Sequence, residues 1–404
     1  MIELGCHDAG VSDAACQAYC TELERLTQLK LAEVKPGIDK IQVRPMAPDA
    51  GVTMTIADVQ KALKQIGFFP GGQADGICGY RTQSAIRLFQ EYLRSFEGQA
   101  GVVPDGRFGP VTQGHLRRWL DQGLQTAWAP TIEAWRAGTL AAGEYTDWLG
   151  LIAHAKESQS AAPSRIAQMV GAFGKPTDTL VPAKWDTSGA GHVHLVGIRR
   201  EQITGKFDDL FVLLVKGLVF KFQGSTEPGA TQNPKGLPFL VPGQHDYRFG
   251  WHKSTYLALR PLANGVLVVR SADKRLDEGD LAHGLEANTT INIHWGGRGQ
   301  NRDVATWSEG CQVINGSVYL APDGRLIDCA AFAAINQDEL QANPQKTRGA
   351  FNVVVDLVTA LASDLPGNTV KYTLLPEADL AMSPALAERM ATNRERVAKA
   401  VGLA

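Results

Sequence analysis

The spacing of apolar residues changes along this chain from a helical period to short unbroken runs. Over 57–69 apolar residues recur at three- and four-residue intervals, which predicts an amphipathic helix, and a similar pattern covers 12–34. From about residue 184 short apolar runs alternate with Gly, Pro and Asn, which predicts strands. A capped amphipathic helix is predicted over 383–404. The pattern therefore predicts helical segments first and a mostly-β segment after them.

The helical part contains an internal repeat. Residues 75–90 (DGICGYRTQSAIRLFQ) align with residues 105–120 (DGRFGPVTQGHLRRWL). Each copy begins with an Asp-Gly turn, which requires positive φ at the glycine, and continues through a second glycine into a helix. The matched pairs are Asp75 with Asp105, Gly76 with Gly106, Gly79 with Gly109, Thr82 with Thr112, Gln83 with Gln113, Ile86 with Leu116 and Phe89 with Trp119. Together with the helix over 57–69, the repeat predicts a small all-α domain with two glycine-rich loops.

This repeat resembles the peptidoglycan-binding domain found on many bacterial and phage cell-wall enzymes. That family carries a helix, the motif D-G-x-F-G-x-x-T and a second helix that ends in F-Q, and the pattern occurs here at 75–90 and 105–120. Cys78 replaces the usual aromatic residue in the first copy. The resemblance covers about 55–123 and implies that peptidoglycan is a partner. The alternative is a repeat that keeps the fold and has lost the binding groove.

The charge balance and one apolar stretch argue against a nucleic-acid partner and a membrane segment, respectively. The net charge is −2, which does not favour a nucleic-acid partner. The apolar run over 211–222 is interrupted by Lys216 and Lys221 and is too short for a bilayer, so no membrane segment is expected. Residues 1–10 lack the basic and apolar regions of a cleavable signal peptide. The expectation is a protein made in the cytoplasm that acts in the periplasm or on the cell wall, after phage lysis or delivery by a contact-dependent secretion system.

Three of the six cysteines lie near the start of the chain. Cys16 and Cys20 are four residues apart on the predicted helix and therefore share a face, with Cys6 and His7 nearby in the sequence. A metal site is one interpretation. Buried thiols, or a disulfide formed after export, are favoured because the spacing matches no established zinc pattern. Neither a resident metal nor a cofactor is expected.

Two stretches of the β segment combine the residue types of a cysteine nucleophile. INIHWGG at 291–297 places His294 at the end of a strand, and WSEGCQVI at 307–314 places Cys311 at the start of another. A thiol needs a nearby base to become a thiolate, and antiparallel neighbours would bring these strand ends together. Gly310 permits a tight turn that aims backbone N–H groups at a developing oxyanion. From spacing alone, a buried cysteine beside an ordinary core histidine is the favoured alternative, and a zinc site lacks a third clear ligand.

The region over about 190–330 resembles the catalytic domain of L,D-transpeptidases of the YkuD type. The signature of that family is a histidine, a gap and Ser-His-Gly-Cys, and IHWGG and SEGC occupy those places here. The resemblance implies that Cys311 is the nucleophile and His294 the general base. It implies that Ser308 orients the histidine through its hydroxyl or carbonyl group. It also implies that Gly310 and Cys311 offer backbone N–H groups to the oxyanion.

Two residues beside the cysteine depart from the family pattern. Glu309 stands where the family has its second histidine, and Gln312 stands where an apolar residue is common. Glu309 is predicted to point into the substrate groove and to meet a cationic group such as a peptide-stem amine. These departures affect substrate preference and reaction outcome rather than the identity of the nucleophile.

The remaining candidate substrate contacts flank these motifs. Arg298 is predicted to hold a substrate carboxylate by a forked contact, with a solvated loop arginine as the alternative. His245 and Tyr247 are predicted to line the groove, with ordinary half-buried polar aromatics as an equal alternative. The predicted substrate site is completed by Trp295, Gly296 and Gly297.

The predicted architecture is multidomain. It combines a small all-α peptidoglycan-binding-like domain with a mostly-β, β-sandwich-like catalytic domain of the L,D-transpeptidase type and flanking helices. The predicted boundaries are 1–54 for an N-terminal helical extension, 55–123 for the peptidoglycan-binding-like domain, 124–183 for a helical linker region, 184–380 for the catalytic domain and 381–404 for a C-terminal helix.

The predicted function is that of a peptidoglycan-acting cysteine peptidase, either an endolysin or a delivered antibacterial effector. As an L,D-carboxypeptidase or endopeptidase, it would attack the stem-peptide bond between a third residue of the meso-diaminopimelate type and a D-amino acid, through a cysteine thioester. The alternatives are an L,D-transpeptidase or D-amino-acid exchange enzyme, and a non-catalytic wall-binding or phage structural protein. An immunity or delivery protein is a further expected partner.

Overall fold

The structure is a computed structural model, and several segments of the chain are not described. The described residues are 47–173, 181–200, 205–229, 234–252, 256–262, 265–273, 275–296, 303–305, 308–331, 334–335, 342–343, 349–365 and 369–400. The predicted helix over 12–34, with its cysteines, lies outside them, and so do Gly297 and Arg298.

The helices and strands have the following bounds among the described residues. The helices are α1 (Ile56–Gln65), α2 (Tyr80–Phe96), α3 (Pro110–Asp121), α4 (Ala129–Arg136), α5 (Glu144–Ala161), α6 (Arg165–Ala172), α7 (Ala350–Leu361) and α8 (Pro384–Ala400). The strands are β1 (Val193–Arg199), β2 (Asp209–Val215), β3 (Leu218–Ser225), β4 (Leu237–Leu240), β5 (Gly243–His252), β6 (Tyr256–Pro261), β7 (Val266–Ser271), β8 (Glu286–Asn288), β9 (Ile293–Trp295), β10 (Gln312–Leu320), β11 (Leu326–Asp328), β12 (Ala334–Ile335), β13 (Ala342–Asn343) and β14 (Val370–Pro376). None of the helices in this described part is both long and apolar enough to cross a bilayer.

Internal contacts divide the chain into two compact units. The first unit is Met1–Leu140, Phe249–Ala258 and Ile327–Asn368, and the second is Ala141–Arg248, Leu259–Leu326 and Thr369–Ala404. This division follows packing, whereas the predicted domain boundaries follow motifs. The two divisions place α7 differently, since the prediction assigned it to 184–380. The boundaries of the functional domains stay a prediction.

The first loop of the repeat is held by a glutamine on α1. The side-chain amide of Gln60 donates to Asp75 Oδ1 at 2.7 Å, to the Ile77 carbonyl at 2.9 Å and to Thr82 Oγ1 at 3.0 Å. Its carbonyl oxygen accepts a hydrogen bond from the Gly76 N–H at 3.0 Å. Gly76 has a φ of +79°, which is why the Asp-Gly turn requires glycine. One buried side chain therefore fixes the whole loop to the helix before it.

The second loop is held in the same way by a glutamine on α2. Gln90 donates to Asp105 Oδ1 at 3.1 Å, to the Arg107 carbonyl at 3.0 Å and to Thr112 Oγ1 at 3.1 Å, and it accepts from the Gly106 N–H at 2.9 Å. The structural repeat therefore begins at the glutamine. It is longer than the block that the sequence alignment detected, because the alignment did not extend back to the helix over 57–69.

Helices α2 and α7 pack against each other inside the first unit. Every residue of α7 is buried, and its one carboxylate, Asp356, meets Arg87 of α2. Arg87 Nε donates to Asp356 Oδ2 at 2.8 Å, and Nη2 donates to Oδ1 at 2.7 Å. The two side chains are 1% and 2% exposed. Such a forked contact satisfies both buried charges, so the repeat and α7 form one packed structure.

Glu91, also on α2, is a second buried carboxyl group of the first unit. Its side chain accepts a hydrogen bond from Ser95 Oγ at 2.5 Å, and the residue is 1% exposed. Burial raises the pKa of Glu91 to about 8, and the negative charge of Asp328 adds to the rise. The folded protein therefore keeps a proton on this carboxyl group at neutral pH.

Replacing Glu91 by glutamine is expected to remove part of the pH dependence of stability. An unfolded glutamate releases its proton near pH 4.5, and the folded one releases it near pH 8. The stability that this group contributes is therefore complete below about pH 4.5 and is lost as the pH rises through 8. The difference in unfolding free energy between variant and wild type should change by as much as about 4 kcal/mol over this range. Urea denaturation of both proteins near pH 5, 7 and 9 measures this difference. A difference that is the same at all three pH values would contradict the raised pKa of Glu91.

The principal sheet closes on itself. Among the described residues it has nine strands, in the order β11-β10-β3-β2-β1-β14-β5-β6-β9, and β9 also pairs with β10. A smaller sheet has the order β4-β7-β8. The mostly-β prediction for this part of the chain is confirmed. The sandwich-like arrangement is wrong, because the strands form a closed, barrel-like ring rather than two open sheets face to face.

Three neighbouring strands of this sheet explain why short apolar runs in the sequence predicted strands. β1, β2 and β3 are buried along their full length. A strand that is covered on both faces has a continuous apolar sequence rather than an alternating one. β1 pairs in parallel with β14 and antiparallel with β2, so the last strand in the chain lies between β1 and β5.

Candidate active site

Cys311 and His294 come together through a pair of parallel strands. Cys311 immediately precedes β10, and His294 is the middle residue of β9. The register pairs Ile293 with Gln312 and His294 with Val313. The predicted antiparallel pairing is wrong, although the predicted proximity is found. Because β9 has three residues, a parallel register still leaves His294 next to the start of β10.

The Cys311 sulfur lies against the segment that leads into β9. The Asn292 N–H donates to Sγ at 3.4 Å, and Sγ–H donates to the Thr290 carbonyl at 3.4 Å. A ring nitrogen of His294 lies within 4.8 Å of Sγ. Cys311 is partly exposed, whereas His294 is 1% exposed. A partly accessible thiol therefore lies beside a buried imidazole, the pairing that a cysteine nucleophile needs.

The tautomer of His294 follows from its hydrogen bond. Nδ1 lies 2.7 Å from the Trp295 carbonyl oxygen. A carbonyl oxygen only accepts, so Nδ1 carries the hydrogen in the neutral ring and the lone pair resides on Nε2. This tautomer suits a base. The carbonyl of Trp295 accepts this hydrogen bond and orients the ring.

Ser308 closes the turn that carries the cysteine. Its Oγ donates to the Cys311 carbonyl at 2.7 Å and accepts from the Gly310 N–H at 2.9 Å. A hydroxyl has one hydrogen, so this bond leaves none for His294. The predicted role of Ser308 in orienting the histidine through its hydroxyl is therefore corrected. The Gly310 N–H is also engaged here rather than aimed at an oxyanion.

Gly310 is required where it stands. Its φ is +152°, and a Cβ at this position would lie 2.6 Å from Pro238 Cγ and 2.7 Å from the Pro238 carbonyl oxygen. Backbone atoms cannot move away as a flexible side chain can, so any larger residue would displace the turn. The role of Gly310 in this structure is to allow close packing beneath the nucleophile.

The predicted substrate contacts around Cys311 and His294 differ in exposure. Glu309 is exposed and Trp295 is partly exposed, so both can meet a ligand. Gly296 is buried, and a Cβ there would collide with Val313 Cγ1, so this glycine packs against β10 instead.

His245 and Tyr247 do not line a groove in this structure. His245 is 1% exposed and Tyr247 is fully buried. His245 Nε2 lies 2.9 Å from the Val241 carbonyl oxygen, and the Tyr247 hydroxyl donates to the Ile291 carbonyl at 2.9 Å. Burial lowers the pKa of His245 to about 4, so the ring is neutral at pH 7. Their predicted contact with substrate is corrected to a supporting position inside the sheet.

The buried partners of the cysteine turn were not among the predicted site contacts. Gln312 donates from Nε2 to the Gly310 carbonyl at 3.3 Å, and its Oε1 accepts from the Tyr372 hydroxyl at 3.0 Å. Gln312 and Tyr372 are fully buried. The available signal was a glutamine inside an apolar run, since a buried amide needs partners.

A known family model covers the repeat but not the residues of the candidate site. Residues 55–116 match the family model described as "Putative peptidoglycan binding domain". The chain carries a peptidoglycan-binding domain. Both glutamine-held loops lie inside the matched segment, and the end of α3 extends beyond it. The predicted resemblance of this region is confirmed. No curated protein and no solved structure matches the chain. Cys311 and His294 lie outside the matched residues, and the L,D-transpeptidase resemblance stays a prediction.

Proposed function

We propose that this chain is a cysteine enzyme that hydrolyses the stem peptides of peptidoglycan. The scissile bond is the one between a third residue of the meso-diaminopimelate type and a D-amino acid. The observation that carries the proposal is the His294 nitrogen within 4.8 Å of the Cys311 sulfur, in a chain with a peptidoglycan-binding domain. The domain brings the polymer to the thiol, and the thiol supplies a nucleophile.

The proposed reaction uses one proton carrier and one nucleophile. Nε2 of His294 takes the Sγ proton as the sulfur attacks the carbonyl carbon of the scissile bond. The C–N bond then breaks, and His294 gives the proton to the departing amine of the D-residue. Water attacks the resulting thioester while His294 takes one of its protons, and the C–S bond breaks. The products are a free carboxyl group and the regenerated thiol.

The exposure of Cys311 and Glu309 is compatible with attack by water and with recognition of a charged substrate. Cys311 is partly exposed, so water can reach a thioester formed on it. Glu309 is exposed and stands two residues before Cys311 in the chain, and its carboxylate is suited to a cationic amine such as that of diaminopimelate.

The proposal is tested by a mass-resolved digest of purified muropeptides. Tetrapeptide-rich and cross-linked muropeptides are incubated with the full chain and with Cys311→Ala. Loss of the terminal D-residue or of 3–3 cross-links with wild type, and not with the variant, is the expected result. New dimers or exchanged D-amino acids would instead identify a transpeptidase. Unchanged muropeptides, together with retained binding to sacculi, would reduce the chain to a wall-binding protein.

A further inference from the structure

Two buried tyrosines lie side by side beneath the thiol site. Tyr247 of β5 pairs with Val370 of β14 in the antiparallel register, and Tyr372 lies two residues further along β14. Their ring centroids are 5.7 Å apart, with the ring planes at 87°. Both side chains are 0% exposed. A buried tyrosine hydroxyl usually has a hydrogen-bond partner, and each of these reaches a different segment next to Cys311.

Tyr247 supports the segment that contacts the sulfur. Its hydroxyl donates to the Ile291 carbonyl at 2.9 Å. Ile291 stands between Thr290, whose carbonyl accepts from Sγ, and Asn292, whose N–H donates to Sγ. The tyrosine therefore fixes the middle of a three-residue segment whose two ends both touch the sulfur.

Tyr372 supports the turn that carries the cysteine. Its hydroxyl donates to Gln312 Oε1 at 3.0 Å, and Gln312 Nε2 donates to the Gly310 carbonyl at 3.3 Å. The backbone N–H of Gln312 also donates to the Asn292 carbonyl at 2.8 Å. Gln312 is thus tied to the glycine turn on one side and to the sulfur-contacting segment on the other.

We propose that Tyr247 and the Tyr372–Gln312 pair are positioning residues that hold the Cys311 sulfur in line with its base. Neither tyrosine touches substrate, since both are sealed inside the sheet. The inference rests on the proposed role of Cys311 as nucleophile. It gives a function to Gln312, which departs from the residue type common after a nucleophile of this kind.

The chemistry of the two tyrosines suits a fixed support. Burial raises the pKa of each hydroxyl well above its usual value. Both hydroxyls therefore remain neutral donors across the pH range in which a thiol titrates. The support does not switch off as the cysteine ionises.

The test is the alkylation rate of Cys311 in the full-length protein. Iodoacetamide is the probe, and a chelator keeps trace metal ions away from the thiol. Modification is followed on the peptide that contains Cys311, so the other five cysteines do not interfere. The variants are Tyr247→Phe, Tyr372→Phe and Gln312→Met, because each keeps the shape of the side chain and removes hydrogen-bonding groups. Tyr145→Phe is the matched control, since the Tyr145 hydroxyl also donates to a backbone carbonyl, that of Gly189, at 3.3 Å.

Each positioning variant is expected to react about tenfold more slowly near neutral pH, with the midpoint of its pH–rate profile moved upward. Tyr372→Phe and Gln312→Met should not be additive, because they interrupt one chain of hydrogen bonds. Tyr247→Phe should add to either. The control should react like wild type. Wild-type rates and profiles in all three variants would overturn the proposal, and so would an equal loss in the control.

The muropeptide assay separates this inference from the proposed function. If wild type cleaves muropeptides and the variants lose turnover at an unchanged KM, both proposals stand. If wild type is inactive on muropeptides and the alkylation pattern is still observed, the function fails and the positioning role survives. If cleavage is observed and alkylation is unchanged in the variants, the positioning role fails alone.

Discussion

Replacing Arg87 by methionine alone is expected to destabilise the protein by about 3–5 kcal/mol. The change leaves the Asp356 carboxylate buried on α7 without its forked partner, and both side chains are at most 2% exposed. A buried charge without compensation costs far more than the lost contact itself. Urea denaturation of the full chain, followed by far-UV circular dichroism, measures the loss.

The double variant Arg87→Met with Asp356→Leu is the control for this prediction. It removes both charges and keeps apolar side chains of similar size, so its stability should return to within about 2 kcal/mol of wild type. If the losses in unfolding free energy of Arg87→Met alone and of Asp356→Leu alone simply add in the double variant, the ion pair is not the cause. Recovery would establish that the loss in Arg87→Met comes from the uncompensated charge of Asp356.

Replacing His294 by glutamine is expected to lower the alkylation rate of Cys311 near neutral pH by about 100-fold. Glutamine retains a polar side chain and cannot take the thiol proton. The loss should shrink as the pH rises, because hydroxide then forms the thiolate without a base. The measurement is the pH–rate profile of iodoacetamide modification between about pH 5 and 10.

His283→Gln is the matched control for the base. His283 is an exposed histidine at the end of the 3-10 helix Asp280–His283, so its loss should leave the profile unchanged. A His294→Gln protein with the wild-type profile would remove His294 from the proposed mechanism and leave Cys311 as an ordinary reactive thiol.

Predictions from local patterns succeeded where local chemistry decides the conformation. The Asp-Gly turns at Gly76 and Gly106 require positive φ, and the helices after them have a clear apolar period. The same patterns located β2 and β3, since strands buried on both faces are rich in apolar residues. It did not extend the repeat back to Gln60, because a single buried polar residue leaves no periodic signal.

Predictions about the site were correct for the proximity of the two residues and wrong for some of their partners. The resemblance to L,D-transpeptidases singled out Cys311 as nucleophile and His294 as base. The structure brings the two side chains together, and their catalytic roles stay a prediction. The partner of Ser308 was predicted incorrectly, because the hydroxyl could equally well bond within its own turn. Tyr247 was predicted to face a groove, since the sequence alone does not tell which face of a strand is covered.

The sequence by itself determined the repeat, the peptidoglycan-binding domain, the mostly-β character of the second part and the two residues of the candidate site. These features depend on short motifs, helical or strand period and the conformational range of glycine. Only the tertiary structure decided that β9 and β10 are parallel, that Tyr372 supports Gln312 from 60 residues away and that Arg87 meets Asp356 across 269 residues. The physical reason is that such partners are chosen by strand order and helix packing, which bring together side chains with no local relation in the chain.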